Sequence, residues 1–180
     1  FGAGNEGELG ATSLRTPADR SASETNVFSV GALQPGSTLI APFSSRGPSG
    51  CTSGAIKPEV CAQGQFVRSA YPGATSNSDY HILSGTSMAC PHVAGAVALL
   101  REVEPNLSSE QVKTLLYQSA DDLGAVGNDN TYGFGRINLE SAYHRLINQR
   151  GAVSTGIVTP THRVPFGGTL WYEVSLINHT

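Results

Sequence analysis

The chain has 180 residues, a length that fits one domain of ordinary size. Hydrophobic residues make up 39% of it and charged residues 14%, a balance that excludes a disordered chain. The net charge is −3 and there is no basic block, so the sequence gives no reason to expect binding to nucleic acid or to an anionic membrane. No apolar run reaches the ~18 residues that cross a bilayer.

The first half of the chain predicts short strands separated by loops. Residues 27–33 form an apolar run near a glycine, which is typical of a buried strand. Residues 34–54 are rich in Gly, Pro and Ser and predict loops. A further short strand is expected between residues 55 and 67, turns are expected over 71–79, and another strand is expected over 80–83.

Three helices are predicted in the second half. The first covers residues 88–102, where apolar residues lie on most sides, so we expect it to be buried. The second starts near Ser108, because Ser108 and Gln111 can form a capping box. The third starts at Asn138, a good N-cap. The expected apolar faces of the last two helices are Val112, Leu115 and Leu116, and Leu139, Ala142, Tyr143, Leu146 and Ile147.

Alternating strands and helices predict an α/β layer structure with a mostly parallel sheet. After Gly151 the composition changes, and residues 156–158 and 169–177 are strand-like. We therefore expect two parts, a domain over 1–150 and, over 151–180, a linker with the first strands of a β-rich module. A tail that packs on the domain is the alternative for the second part. The chain begins at Phe1 and not Met, so we expect a piece of a longer protein.

Three cysteines leave the pairing open. The spacing of Cys51 and Cys61 allows a disulfide, which would leave Cys90 as a free, buried thiol, and three reduced thiols are the alternative. Cys90 lies inside a predicted helix, which favours core packing over a role as a nucleophile.

Ser87 lies where a loop meets the start of a predicted helix, within residues 84–89, SGTSMA. At such a junction free backbone N–H groups and the positive end of the helix dipole would stabilise an oxyanion formed by attack on a carbonyl. Gly85 permits the close approach of a substrate backbone. Taken alone, the hexapeptide is better explained by a serine that caps the helix.

The wider context changes this interpretation. Residues 84–95, SGTSMACPHVAG, closely resemble the nucleophile motif of the subtilisin-like serine peptidases. Other segments resemble that family in the family's own order, namely residues 2–5, 26–32, 43–48, 57–60 and 133–138. The resemblance covers residues 1–148. It implies a subtilisin-like three-layer α/β fold whose N-terminal part is missing, with residues 1–150 as the C-terminal portion of the peptidase domain.

The resemblance also implies roles. Ser87 would attack the scissile carbonyl and form an acyl-enzyme. The side-chain amide of Asn5 and the backbone N–H of Ser87 would donate to the oxyanion, assisted by the hydroxyl of Thr86. One wall of the pocket for the substrate side chain before the cut would be formed by Gly2, Ala3 and Gly4. A polypeptide substrate and secretion are further implications of the family.

The histidine base and its orienting carboxylate are missing from the pattern. In the family both precede the asparagine, and only four residues precede Asn5 here. His81 corresponds to the loop before the nucleophile, and His92 to a structural histidine expected to be hydrogen-bonded in the core. We therefore expect the isolated chain to lack efficient catalysis. Its expected partner is the N-terminal part of the same peptidase, which would carry the Asp and the His.

Two segments depart from the family pattern. Gln63 stands where the family usually has proline. Residues 15–25 are longer and more polar than expected near the substrate pocket, so no side-chain preference is predicted.

Two other functions remain as alternatives. One is an inactive subtilase-like scaffold kept for binding. The other is an α/β-hydrolase esterase, because residues 85–89 nearly match a nucleophile elbow and Asp129 and His144 follow in the required order. No cofactor and no metal ligand is assigned. Structural calcium could bind near residues 121–122 and 128–130, although solvated loop acids are the better interpretation there.

Overall fold

The computed structural model describes residues 1–20, 27–52, 54–72 and 79–150, with the backbone alone at residues 149 and 150. Segment 151–180, for which strands are predicted, lies outside the described residues. After a short 3-10 turn at Gly7–Leu9 come β1 (Val30–Leu33), β2 (Val60–Gln63), β3 (Val67–Ala70), β4 (Tyr80–Leu83), α1 (Thr86–Val103), α2 (Ser109–Ser119) and α3 (Leu139–Arg150).

A parallel layer forms the centre of the fold. Strands β1 and β2 pair in parallel, with Val30 opposite Val60 and Leu33 opposite Gln63. Gly2 extends this layer on one side through a parallel bridge to Val30. On the other side Arg136 makes a parallel bridge to Cys61. Helix α1 packs against both β1 and β2, so the predicted α/β layers with a parallel sheet are confirmed.

The main core lies between this layer and the three helices. Buried side chains of β1 and β2 meet those of all three helices, including Val30, Val60, Val93, Leu100, Leu115, Leu116 and Leu146. Two stacked aromatic contacts border the core, because the ring of Tyr117 lies 5.5 Å from that of Phe28 and 4.5 Å from that of Phe134. The predicted apolar face of α2 is confirmed, since Val112, Leu115 and Leu116 are all buried.

Helix α1 is buried on one face only. Val93, Ala96 and Leu100 point into the core, whereas Ala94, Gly95 and Ala98 are exposed. Leu99 is also 51% exposed. The expectation that α1 is buried on most sides is therefore wrong for this chain. The parallel layer and α3 cover one side of the helix, and no described residue covers the other.

Both predicted helix caps are present. The Ser108 hydroxyl accepts from the backbone N–H of Gln111 at 3.1 Å, and the Gln111 side chain accepts from the Ser108 N–H at 2.8 Å. This reciprocal pair is the predicted capping box. Asn138 Oδ1 accepts from the N–H of Ser141 at 2.9 Å, which caps α3. On α3, Ala142 and Leu146 are buried as expected, but Tyr143 is 42% exposed.

A second, two-stranded sheet leads into Ser84. Strand β4 matches the strand predicted over 80–83, and β3 pairs with it in antiparallel fashion. Most residues of both strands are exposed. The pairing of β3 with β4 was not predicted, because the long polar connection between them carries no two-residue turn signal that indicates a hairpin.

All three cysteines are free. Cys51 is exposed, Cys61 is buried and Cys90 is half-buried, so a fully buried Cys90 is not observed. Burial raises the pKa of the Cys61 thiol, which keeps it protonated and unreactive. Of the helices in the described part of the chain, none has the length and apolar composition to cross a membrane.

Candidate functional site

Ser87 lies in the first turn of α1 and its side chain is exposed. The residue that caps the helix is Gly85, which provides no side-chain cap. Ser87 is therefore two residues inside the helix, and the interpretation of this serine as a capping residue is excluded. The backbone N–H of a residue at this position has no partner inside the helix, so it remains available to an external acceptor.

Asn5 is bound directly to the start of α1. Its Oδ1 accepts hydrogen bonds from the Thr86 backbone N–H at 2.9 Å and from the Thr86 hydroxyl at 3.1 Å. Because Oδ1 must face these donors, the orientation of the amide is fixed and Nδ2 points elsewhere. A Cβ built on Gly85 would lie 3.3 Å from Nδ2, which places the NH₂ group beside the helix start. Within the described residues Nδ2 has no acceptor.

Thr86 connects this corner to the N-terminal segment. The residue is 3% exposed, and its hydroxyl accepts from the Gly4 N–H at 3.2 Å. Gly2 lies against the same hydroxyl, because a Cβ built on Gly2 would be 2.9 Å from Thr86 Oγ1. A larger residue than glycine at position 2 would push Thr86 out of place. The structure thus brings Gly2, Gly4, Asn5, Thr86 and Ser87 together at one corner of the fold.

The side chain of Ala3 lies away from the corner formed by Asn5, Thr86 and Ser87. Its side chain is fully buried in a small cluster with Leu14 and Ala18. Its N–H donates to Val30 O at 3.0 Å and its carbonyl accepts from Arg15 N at 3.1 Å. Ala3 therefore holds the segment in the sheet, and its methyl group does not face the Asn5–Ser87 corner.

Two charged residues that the sequence did not single out border Asn5. The Glu6 carboxylate accepts from the Asn5 backbone N–H at 2.9 Å and pairs with Arg15 at 3.1 Å. Partial burial raises the pKa of Glu6, but hydrogen bonding and charge from Arg15, with hydrogen bonds from Asn5 and Ser45, outweigh burial and lower it overall. Two signals in the sequence could have pointed to this pair. They are the position of Glu6 directly after Asn5 and the unusual polarity of the segment that starts at Arg15.

Neither candidate histidine is placed to serve Ser87. His81 is exposed on β4, with its ring 4.4 Å from that of Tyr71. His92 is exposed on α1, with Nδ1 2.8 Å from Met88 O. The expected hydrogen bond of His92 is present, but the expected core position is wrong, because the exposed side of α1 carries this ring. In the described part of the chain neither ring bonds a serine or a carboxylate.

Asp129 and His144, the two residues that the esterase alternative requires, contact groups other than Ser87. The Asp129 carboxylate accepts from the backbone N–H groups of Ala125, Thr131 and Tyr132 at 2.7–3.0 Å. His144 is exposed on α3, and its ring contact is with Tyr143. Nothing in the described residues joins Asp129 or His144 to Ser87, so the geometry gives this alternative no support.

The acidic loops have internal partners. Asp121 bonds Arg136 and Asn138, and Asp122 accepts from the Gly127 N–H at 2.8 Å. Hydrogen bonds from Asn138 and Arg136 lower the pKa of Asp121. Among the described residues no group of three or more His, Cys, Asp and Glu side chains is arranged to hold a metal ion.

Comparisons with known proteins agree on one family. The model described as "Subtilase family" matches residues 1–135. The Arabidopsis thaliana subtilisin-like protease SBT4.4 is 35% identical over 150 residues, which cover 78% of this chain and 18% of that protein. Subtilisin BL of Lederbergia lenta is 44% identical over 84 residues, which cover 47% of this chain and 29% of that protein.

A solved structure is also similar. The crystal structure of a lanthipeptide protease superposes with a TM-score of 0.65 at 27% identity, covering 81% of this chain and 49% of that one. The chain thus spans less than a third of the length of each curated relative named above, and about half of the solved structure.

Proposed function

Because the chain belongs to the subtilase family, we propose that Ser87 is the nucleophile of a serine endopeptidase and that Asn5 stabilises its oxyanion. One observation carries the proposal. The Asn5 amide is held by Thr86 with its Nδ2 directed away, beside the first turn of the helix that presents Ser87. A capping serine or a purely structural asparagine would not need this arrangement.

The proposed reaction uses two donors of this chain. The Ser87 hydroxyl gives its proton to the histidine base and attacks the scissile carbonyl. The carbon–nitrogen bond breaks as the leaving amine takes that proton, and an acyl-enzyme forms that water then hydrolyses. As the carbonyl oxygen becomes negative, Asn5 Nδ2 and the Ser87 backbone N–H donate to it. Loss of the corresponding asparagine donor in subtilisin itself costs about 2.7–4 kcal/mol of transition-state stabilisation.

The base and the orienting acid are proposed to come from an N-terminal part of the same peptidase. Two features of the structure support a partner that packs against α1 and beside Gly2. The face of α1 that carries Ala94, Ala98 and Leu99 is uncovered by the described residues. Gly2 pairs with β1 on one side, while its own N–H and carbonyl bond no described residue. A further parallel strand beside Gly2 would use both groups and cover apolar surface.

The proposed substrate, location and division of the chain follow from this function. The substrate is a polypeptide, and the protein acts outside the cell as a secreted enzyme. Residues 1–150 form the C-terminal portion of the peptidase domain, and 151–180 begin a further β-rich module. The family membership and the strand-like composition of 151–180 support these proposals.

Hydrolysis of a protein substrate by the full-length protein tests the proposal. We expect cleavage of unfolded casein by the wild type and loss of cleavage in Ser87→Ala, with Ser84→Ala, an exposed neighbour before α1, as the control. A folded full-length protein that cleaves nothing would favour the inactive scaffold instead.

A further inference from the structure

One buried serine, Ser45, holds the backbone on both sides of Asn5. It lies in the connection between β1 and β2 and is 0% exposed. Its N–H donates to Gly4 O at 3.0 Å, and its hydroxyl accepts from the Glu6 N–H at 3.0 Å. The Gly4 carbonyl and the Glu6 N–H belong to the two peptide planes that meet at the Cα of Asn5. Ser45 therefore fixes both planes.

The hydrogen of the Ser45 hydroxyl is also used. It donates to Glu6 Oε2 at 3.3 Å, and the same oxygen accepts from the Asn5 N–H at 2.9 Å. Arg15 Nε bonds the second oxygen of this carboxylate at 3.1 Å. The Ser45 hydroxyl thus accepts from one backbone N–H of the turn and orients the carboxylate that accepts from another.

The main chain and the side chain of Asn5 are held by different residues. Thr86 bonds the side-chain Oδ1, whereas Ser45 and Glu6 bond the main chain around it. Gly4 allows Ser45 to come this close, because a Cβ built on Gly4 would lie 2.7 Å from Ser45 Oγ. The direction of Asn5 Nδ2 therefore depends on both sets of hydrogen bonds.

We infer that Ser45 is a positioning residue that keeps Asn5 Nδ2 within reach of the oxyanion, and this rests on the proposed peptidase function. Such a donor is effective only when it lies about 2.7–3.1 Å from the position that the oxyanion takes. Nδ2 is at the end of its side chain, so a small rotation of either peptide plane displaces it. Because Ser45 is buried, it contacts no substrate and acts only through Asn5.

The test is a double-mutant cycle in the full-length enzyme, with a chromogenic tetrapeptide anilide that the wild type cleaves. Ser45→Ala removes both hydrogen bonds of the hydroxyl, and kcat should fall about tenfold with little change in KM, because a displaced donor weakens only the transition state. In the Asn5→Ala background no donor is left to displace. The same substitution should then lower kcat by less than about twofold.

The matched control is Ser44→Ala. Ser44 precedes Ser45 and is equally buried, but its hydroxyl accepts from the Ala32 N–H of β1 at 3.0 Å and does not bond the turn around Asn5. Its loss should lower stability in urea unfolding by about as much as Ser45→Ala and leave kcat near the wild-type value. The comparison separates a positioning role from a general loss of stability.

A second substitution covers the case in which Ser45→Ala does not fold. Ser45→Cys keeps the shape of the side chain with a weaker donor and acceptor, and it replaces the alanine variant in both backgrounds. An unchanged kcat in a folded Ser45 variant, or an equal fall in both backgrounds, would overturn the positioning role and leave the peptidase function intact. A folded wild type that does not cleave unfolded casein would contradict the peptidase function, and the inference would fall with it.

Discussion

Asn5 Oδ1 and the backbone N–H of Thr86 are 2.9 Å apart, although 81 positions separate the two residues in the chain. This hydrogen bond joins the segment after Gly4 to the first residue of α1. It assigns the two ends of the Asn5 amide, since the oxygen faces Thr86 and the NH₂ group is left for another acceptor. The site therefore depends on a long-range contact as well as on the motif around Ser87.

Replacing Asn5 should impair the chemical step. In the full-length enzyme, Asn5→Ala removes the proposed oxyanion donor, and kcat should fall about 10²–10³-fold with little change in KM. Steady-state kinetics with one anilide substrate measures both constants. Asn106→Ala, an exposed asparagine between α1 and α2, is the matched control. A rise in KM at unchanged kcat would assign Asn5 to substrate binding instead.

Thr86 should act through the position of Asn5. Thr86→Val removes both the hydroxyl that donates to Asn5 and the acceptor of the Gly4 N–H. Leaving a partly buried N–H without a partner costs about 1–3 kcal/mol. We expect kcat to fall about tenfold or more in Thr86→Val and to recover in Thr86→Ser, which keeps the hydroxyl. Equal activity of the serine and valine variants would show that the hydroxyl has no such role.

The buried ion pair of Lys57 and Glu59 should be important for stability. Lys57 Nζ bonds Glu59 and Val27 O, and Glu59 Oε2 accepts from the N–H and hydroxyl of Ser29 at 2.6 Å. Lys57→Met leaves the Glu59 carboxylate buried without its counter-charge, which should lower the free energy of unfolding by about 3–5 kcal/mol.

Urea unfolding of the full-length protein measures this loss. The double variant Lys57→Met with Glu59→Gln removes both charges and should be more stable than Lys57→Met alone. Arg136→Gln, which breaks a half-exposed pair with Asp121, should cost no more than about 1 kcal/mol. A single Lys57→Met variant as stable as Arg136→Gln would refute the account of this pair.

Asp121 should make the fold sensitive to acid. Hydrogen bonds from Asn138 and Arg136 lower its pKa in the folded state, so the folded state binds this proton less readily than the unfolded chain. The stabilisation is complete above the unfolded pKa, near pH ~4, and is lost as pH falls through the folded value. The difference in unfolding free energy between wild type and Asp121→Asn should therefore shrink below about pH 4. A difference that grows towards low pH would contradict the sign of the shift.

Local patterns predicted local structure well. The capping box of Ser108 and Gln111 and the cap at Asn138 follow from residues three positions apart, and both are present. The exposure of Leu99 and His92 was not predictable from the same reasoning, because it depends on what covers α1. The Glu6–Arg15 pair was missed for a similar reason, since it forms only when the loop after Asn5 folds back on Gly4.

Covalent labelling tests the central claim most directly. The full-length protein is treated with a fluorophosphonate, digested, and the modified peptide is identified by mass spectrometry. We predict one phosphonylated residue, Ser87, with no labelling in Ser87→Ala and much slower labelling in Asn5→Ala, because the oxyanion donors also assist attack on phosphorus. A folded full-length protein that stays unlabelled, or that is labelled at another serine, would contradict the assignment of Ser87 as the nucleophile.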